Sequence, residues 1–273
     1  MYVIALLLLL NALPESRSGS ILATKFSDER IIMAADSRAT DNNGHRIDDC
    51  DCKILIIGKS LVFVTGGRGH ADDPRTHKTI VDATDIAMSV RRSNSTASIE
   101  KVATLWGQKM KLALGELGKL SREALLGGLE KDQVVALGVF AGTEPDGRIS
   151  AYVLGINYEI DGGNIILTTH LQPVQHGTVA FFTHGTAELD EFMIAKTKRA
   201  RDWNIRLMKE LESKHIADYE PYRLIAGVQA AIEWANDEAI GGDVDALILH
   251  KGGKIEWLQK KKHCYESPKQ SAH

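Results

Sequence analysis

The sequence predicts one α/β domain in which two antiparallel sheets stack face to face and helices cover both outer surfaces. The predicted elements run ββ-ββ-αα-ββββ-αα-ββ, and paired strands are joined by short polar or glycine turns. No linker, repeat or low-complexity segment interrupts this order. The 273 residues are 44% hydrophobic and 25% charged, which is the composition of a globular protein with a full core. Hairpin-rich blocks separated by paired helices favour two stacked sheets in a single domain.

The first half of the domain contains two hairpins followed by two helices. The hairpins are predicted over Ile21–Phe26 with Ile31–Ala35, and over Lys53–Ile57 with Leu61–Thr65. Apolar residues then recur every three or four positions, which predicts helices over Thr79–Arg92 and Ser98–Leu120. Ser98 is predicted to be the N-cap of the second helix.

The second half contains four strands, two helices and a closing hairpin. The strands are predicted over Val134–Phe140, Ser150–Gly155, Ile165–Thr169 and Val179–Thr183. The helices are predicted over Thr186–Ser213 and Tyr222–Ala239. The final hairpin begins at Asp245–His250, turns at Gly252-Gly253 and ends at Trp257.

The first residues have the composition of a leader. Tyr2–Leu10 is wholly apolar, too short to span a bilayer and suited to the core of a signal peptide. No Lys or Arg precedes it, and a buried first strand is the alternative. We expect a leader over residues 1–19, with a signal peptide over 1–18, a domain over 20–258 and a polar tail over 259–273. The expected location is secreted or periplasmic, with cytoplasmic as the alternative, and no stable membrane span is expected.

Charge gives no indication of a nucleic-acid partner. The net charge is -3 and the pI is about 6.4. Basic residues cluster over 196–201 and 260–262, where they are typical of solvated surface.

The cysteines and the one histidine-rich segment do not predict a metal site. Cys50, Cys52 and Cys264 are odd in number and have no finger-like spacing, so neither a disulfide framework nor zinc is predicted. Their redox state is left open. His70, Asp72, Asp73 and His77 surround Pro74 and indicate a polar turn. We therefore expect no metal and no cofactor.

Five segments in order carry a family resemblance. They are Gly19–Ala23, Ile31–Thr40, Lys53 at the third strand, Gly66-Gly67 after the fourth, and Asp237 followed by Gly241–Asp245. In this order and spacing they resemble the proteasome β-subunit family of N-terminal-nucleophile hydrolases and the bacterial ring proteases related to it. The stretch Ala34–Thr40 is the most specific part. The resemblance covers Ser20 to about Trp257 and implies a four-layer αββα sandwich.

The resemblance also implies an active site at the first residue of the mature chain. Ser20 occupies the position of the nucleophile, and its own freed α-amine is the base that removes the hydroxyl proton. Lys53 matches the lysine beside the nucleophile, and Asp36 matches its acidic partner. Gly66 matches the backbone N–H that stabilises the oxyanion, and Asp237 matches an acid near the mature N-terminus.

Two supporting positions depart from the family pattern. Thr183-His184-Gly185 replaces a Gly-Ser-Gly turn, and Ile240 replaces a serine before the second glycine pair. His184 can take a polar role because histidine titrates near neutrality, whereas Ile240 cannot. Arg38 is a further supporting residue, in the most specific segment. The alternative to a catalytic site is a purely structural role, in which Asp36 and Lys53 form a salt bridge and the glycines only turn the chain.

Two functions follow as hypotheses. The first is an amidohydrolase or peptidase that cleaves peptide or other amide bonds through an acyl-enzyme on Ser20. The alternative is a catalytically inactive scaffold or binding protein of the same fold. The expected partners are a peptide or amide substrate and further copies of the chain.

Overall fold

The computed structural model describes residues 21–40, 46–48, 52–73, 75–127, 134–177, 179–182, 186–235 and 240–260. The strands of the first half are β1 (Leu22–Phe26), β2 (Arg30–Ala35), β3 (Ala39–Thr40), β4 (Arg46–Asp48), β5 (Ile54–Ile57), β6 (Leu61–Gly67), β7 (His70–Asp72) and β8 (Thr79–Asp82). Those of the second half are β9 (Val134–Thr143), β10 (Ile149–Asp161), β11 (Asn164–Pro173), β12 (Val179–Phe182), β13 (Asp245–His250) and β14 (Ile255–Gln259). The helices are α1 (Ala83–Ser93), α2 (Ile99–Leu120), α3 (Arg122–Leu126), α4 (Thr186–Met193), α5 (Lys198–Ser213) and α6 (Glu220–Ala235).

Two five-stranded antiparallel sheets form the centre of the fold. Sheet I has the order β12-β1-β2-β13-β14, and sheet II has the order β11-β10-β9-β6-β5. The small ribbons β3-β4 and β7-β8 lie beside them. The central strands, such as β2 and β13, are buried on both faces. Because successive side chains point to opposite faces, each sheet presents one face to the other sheet and one face to helices.

Three apolar clusters separate four layers. The inter-sheet core joins Met33 and Leu247 of sheet I to Val64 and Val139 of sheet II. Helices α1 and α2 cover the outer face of sheet II, where Trp106 packs on Phe63 and Phe140. Helices α4 and α6 cover the outer face of sheet I, and α5 packs outside them. The αββα sandwich predicted from the sequence is confirmed.

Side-chain caps define the helix starts. Asp82 accepts a hydrogen bond from the N–H of Asp85 at the start of α1, and Ser98 accepts one from Lys101 at the start of α2. The Ser98 cap was predicted from the sequence. Thr79–Asp82, predicted as helix, is instead strand β8, paired with β7. The helix begins only after Asp82 because that residue has an extended backbone and caps the next turn.

The predicted helix Thr186–Ser213 is two helices. Helix α4 ends at Met193, Ala195 has a φ of 50°, and α5 starts after the Thr197 cap. The structure also adds the short helix α3 and lengthens β9, β10 and β11 beyond their predicted ends. Among the described residues, no helix has both the length and the apolar character that a membrane crossing requires.

Candidate functional site

The predicted site residues converge at one end of the sandwich, called here the site end. In sheet I, Leu22 at the start of β1 and Asp245 at the start of β13 both pair with Ala35, at the end of β2. In sheet II, Ile54 at the start of β5 pairs with Val64 near the end of β6. A direct contact between Asp36 and Lys53 joins these ends across the two sheets.

The Asp36 carboxylate is the centre of this end. Its Oδ1 accepts from the backbone N–H of Ile21 at 3.0 Å and from Lys53 Nζ at 2.6 Å. Its Oδ2 accepts from the N–H of Gly241 at 3.0 Å and from that of Arg38 at 3.4 Å. One side chain therefore holds β1, the end of β2, the start of β5 and the segment that leads into β13.

Burial makes this ion pair energetically important. The Asp36 side chain is 0% exposed and the Lys53 side chain 4%. Transfer of both charges from water is costly, so the pair is stable only because its remaining hydrogen-bonding capacity is also satisfied. The pairing of Asp36 with Lys53 expected from the sequence is present.

Arg38 and Gly241 pack closely beside the carboxylate. A Cβ on Gly241 would lie 2.4 Å from Arg38 Cζ, so any side chain at this position would displace the guanidinium group. The N–H of Ser37 donates to the Gly241 carbonyl at 3.1 Å, which completes a two-way link between the segment after β2 and the segment before β13. This explains the glycine requirement at the first position of the second glycine pair.

Gly66 lies on the inter-sheet face of β6, in line with Val62 and Val64 of the inter-sheet core. Within the part of the chain that the structure describes, a Cβ added to Gly66 would meet no atom within 4 Å. The next residue is constrained in a different way: Gly67 has a φ of 73°, and its Cβ would lie 2.6 Å from the Val135 carbonyl oxygen. Among the described residues, the glycine pair thus combines an uncrowded position with a tight turn.

Arg68 anchors the chain directly after this glycine pair. It is 6% exposed; its Nε donates to the Leu125 carbonyl, its Nη2 donates to the Gly127 carbonyl, and its N–H donates to the Val135 carbonyl. Burial lowers the pKa of the Arg68 guanidinium group, partly offset by the charge of Glu123. The sequence analysis did not identify Arg68, and a basic residue after Gly-Gly has no pattern that distinguishes it from a surface residue.

Three of the predicted site residues, Ser20, His184 and Asp237, lie outside the described residues. Ile240, at a departure from the family pattern, is 1% exposed and packs in the cluster between sheet I and its helices. Its side chain serves packing and brings no polar group to the site end.

Asp245 is a buried acid at the site end that the sequence analysis left without a role. Its side chain is 0% exposed, and it pairs in register with Ala35, the neighbour of Asp36. The sequence of β13 did not indicate a buried carboxylate. A polar residue such as Asp245 just before an apolar run is typical of a solvated strand end.

The structure shows the redox state of Cys52, which the sequence analysis left open. Cys52 is disulfide-bonded, and its partner lies outside the described residues. One bond among three cysteines is not a disulfide framework, and the odd count that argued against a framework does not exclude a single bond. The bond adds a covalent constraint next to Lys53.

The described residues contain no group of three or more His, Cys, Asp and Glu side chains arranged to hold a metal ion. The histidine-rich segment begins in strand β7 (His70–Asp72) and continues as a polar turn. In this turn the Asp73 carboxylate accepts from the Arg75 N–H and the Thr76 hydroxyl. These hydrogen bonds lower the pKa of Asp73.

Comparisons with known proteins identify the fold. No family model matches the chain, and no curated protein matches it. Among solved structures, the chain is similar to a subunit of the Anbu complex from Pseudomonas aeruginosa, which forms a helical assembly. The TM-score is 0.50 at 12% identity, over 90% of this chain and 88% of the Anbu chain. At this identity the likeness concerns the fold alone.

The assignment to the proteasome β-subunit family is therefore wrong, since no family model matches the chain and the Anbu likeness is only one of fold. The residues that carry the resemblance can occur outside that family for a physical reason. Asp36, Lys53 and Gly241 join the two sheets where they meet, so the fold itself constrains them. The fold class, a four-layer αββα sandwich, is confirmed, and the likeness to the Anbu subunit concerns this fold alone.

Proposed function

We propose that this protein is an amide hydrolase in which Ser20, freed as the first residue of the mature chain, is the nucleophile. The observation that carries the proposal is the shared acceptor Asp36 Oδ1, which binds both Lys53 Nζ and the Ile21 N–H. The Ile21 nitrogen is covalently bonded to the carbonyl carbon of Ser20. Lys53 is therefore held beside the backbone to which the proposed nucleophile is attached.

The proposed chemistry needs a free amine on Ser20. The amine takes the proton from the Ser20 hydroxyl as its oxygen attacks the carbonyl carbon of the substrate, and it delivers that proton to the departing amine. The ester left on Ser20 is then hydrolysed by water activated in the same way. The positive charge of Lys53 favours the ionised form of the hydroxyl and disfavours protonation of the amine.

The predicted role of Gly66 as oxyanion donor stays a prediction; Gly66 pairs with Leu137 in the β6–β9 ladder. The predicted roles of Asp237, His184 and Arg38 stay predictions. The export leader and self-association also stay predictions, and the helical assembly of the Anbu complex supports the latter.

One observation favours the alternative, an inactive scaffold. Ile240 is buried in the helix-side cluster where the family pattern has a serine. A site without that hydroxyl has fewer groups to orient and protonate the amine. The two functions make opposite predictions about the reactivity of the mature N-terminus.

The first prediction is a double covalent adduct on Ser20. A peptidyl epoxyketone should bond to both the hydroxyl oxygen and the amine of this residue, which an internal serine cannot match because its nitrogen is in a peptide bond. Mass spectrometry of the mature protein should place the adduct on the N-terminal peptide, with labelling that rises as pH increases through neutrality and the amine deprotonates.

Ser20→Ala should abolish the adduct, Ser20→Thr should retain it, and Ser89→Ala, at an exposed serine of α1, should leave it unchanged. N-terminal sequencing is done on the same sample. A folded protein that begins at Ser20 and resists labelling from pH 6 to 9 would establish the scaffold instead.

A further inference from the structure

Strand β11 (Asn164–Pro173) is the longest strand at the edge of either five-stranded sheet. The edges of sheet I are β12 and β14, with 4 and 5 residues, and the other edge of sheet II is β5, with 4 residues. Strand β11 has 10 residues, and none of the described strands pairs with its outer side. A long open edge offers a row of backbone N–H and C=O groups to another strand.

The composition of β11 does not protect this edge. Proteins commonly protect an exposed edge with charged side chains or with a proline inside the strand. Edge strand β14 follows this rule, since Glu256 lies in it and Lys254 comes directly before it. Strand β11 contains no Lys, Arg, Asp or Glu, and its proline, Pro173, is its last residue. An approaching strand therefore meets no charged side chain on β11 at neutral pH.

The register with β10 shows which backbone groups of β11 point outward. The N–H of Val174 donates to the Ala151 carbonyl at 2.8 Å, and this pair continues the β10–β11 register. In an antiparallel ladder hydrogen-bonded pairs alternate with pairs that do not bond, so the even-numbered residues of β11 bond to β10 and the odd-numbered ones face the open edge. Pro173 is one of the outward residues, so its missing N–H removes no bond to β10. The outward residues with both backbone groups are Ile165, Leu167, Thr169 and Leu171.

The outward groups of β11 match those of a second copy that runs antiparallel to it. When a two-fold axis passes between the two Thr168 residues, Ile165 lies opposite Leu171 of the second copy. In the same way Leu167 lies opposite Thr169 of the second copy. No other two-fold register pairs every outward N–H and C=O of these four residues. It also places two aliphatic side chains opposite each other and Thr168 opposite its own copy, which are favourable cross-strand pairs.

We propose that β11 strands of two copies pair edge to edge about a two-fold axis at Thr168, so that their two sheets II form one continuous sheet. A second copy is the partner because the register matches β11 to itself, and because a strand without charged side chains does not repel its own copy. A single strand pair is a small interface, so the dimer should dissociate on dilution. This inference is independent of the proposed amide hydrolysis.

The test places a charge on the proposed axis, at an exposed side chain. In Thr168→Lys two ammonium groups face each other across the axis and should prevent pairing, and Thr168→Glu should do the same with two carboxylates. Sedimentation velocity from low to high micromolar concentration should show a dimer for the wild-type protein and a monomer for each variant. An equimolar mixture of the two variants should restore the dimer, because the facing charges are then opposite.

The matched control is Gln108→Lys, which adds the same charge at an exposed position of α2 and should leave the association unchanged. Thermal unfolding shows whether each variant is folded. If a Thr168 variant is not folded, Thr169→Pro takes its place. This change removes an outward N–H and no bond to β10, so it should weaken the dimer.

Hydrogen exchange locates the interface within the strand. The N–H of Thr169 should exchange slowly in the wild-type dimer and rapidly in the Thr168→Lys monomer, whereas the N–H of residue 168, which bonds to β10, should be protected in both. A wild-type protein that stays monomeric at high micromolar concentration overturns the proposal. An assembly that Thr168→Lys leaves intact also overturns it, because another surface then joins the copies. A mixture of folded Lys and Glu variants that stays monomeric shows that the axis does not lie at Thr168, and the proposal is then wrong.

Discussion

At the scale of single residues, the Asp36 carboxylate is the central hydrogen-bond acceptor of the site end. It accepts from two backbone N–H groups and one ammonium group at 3.0 Å or less, and from a fourth donor at 3.4 Å. Loss of Lys53 leaves an anion that the N–H groups of Ile21 and Gly241 still bind. Loss of the carboxylate leaves those buried donors without their acceptor. Removal of the Asp36 carboxylate should therefore lower the stability of the fold more than removal of Lys53.

The second prediction is that Asp36→Asn destabilises the fold more than Lys53→Met. Breaking a buried ion pair costs about 3–5 kcal/mol, and an orphaned buried N–H costs about 1–3 kcal/mol more. The free energy of unfolding in urea at pH 7 measures both. The double variant should not regain full stability, because an Asn amide nitrogen would face donors.

An exposed pair provides the control for this comparison. Lys119 and Glu116 lie on the surface of α2 with their side chains 74% and 64% exposed. Glu116→Gln should change the unfolding free energy by about 0.5 kcal/mol or less. If Lys53→Met costs as much as Asp36→Asn, the backbone donors do not contribute as argued.

At the scale of elements, two helix ends follow one pattern without glycine. Helix α4 ends with Ala195 at a φ of 50°, and the N–H of Lys196 donates to the Glu191 carbonyl. Helix α5 ends with His215 at a φ of 56°, and the N–H of Ile216 donates to the Leu211 carbonyl. Both are Schellman motifs, which usually contain glycine at the left-handed position. Because neither motif contains glycine, the break between α4 and α5 could not be predicted from the sequence.

The third prediction is that Ala195→Gly stabilises the protein. An L-residue in the left-handed conformation costs about 1–2 kcal/mol, so glycine there should raise the unfolding free energy by about 0.5–1 kcal/mol after its own entropy loss. Ala200→Gly is the matched change inside α5, at a fully buried position. It should lower stability by about 1 kcal/mol or more, as measured by thermal unfolding. Destabilisation by both changes would contradict the assignment of strain to Ala195.

At the scale of the whole molecule, an ion cluster fastens the outer helices to sheet I. Arg30 binds Asp218 and, at 3.0 Å, Glu220, while Lys25 also binds Glu220. The hydrogen bond from Arg30 lowers the pKa of Asp218. Burial raises the pKa of Glu220, but hydrogen bonds from Lys25 and Arg30 outweigh it and the net pKa is lowered. The first hairpin is thereby joined to the start of α6.

The fourth prediction concerns acid stability. Carboxyl groups with lowered pKa bind fewer protons in the folded than in the unfolded state, so their contribution is fully present above the unfolded pKa of about 4 and is lost as pH falls through the folded values. Hydrogen exchange should therefore show the start of α6 opening at acidic pH before the inter-sheet core does. Asp218→Asn combined with Glu220→Gln should remove this difference in pH dependence between the two regions. Equal loss of protection in both regions of the wild-type protein would contradict the role of the cluster.

Local patterns in the sequence determined the order of the main helices and strands, most strand positions and the Ser98 cap, and the resemblance implied the pairing of Asp36 with Lys53. They did so because side-chain periodicity and a buried charge's need for a partner act over short ranges or through simple complementarity. Only the tertiary structure decided the extra acceptor role of Asp36 toward Ile21 and Gly241, the anchoring role of Arg68, and the burial of Asp245 beside Ala35. These depend on strand register and on contacts between residues far apart in the chain, as between Asp36 and Gly241. No local residue pattern encodes such contacts, because they form only after the strands that carry them have paired and the sheets have packed.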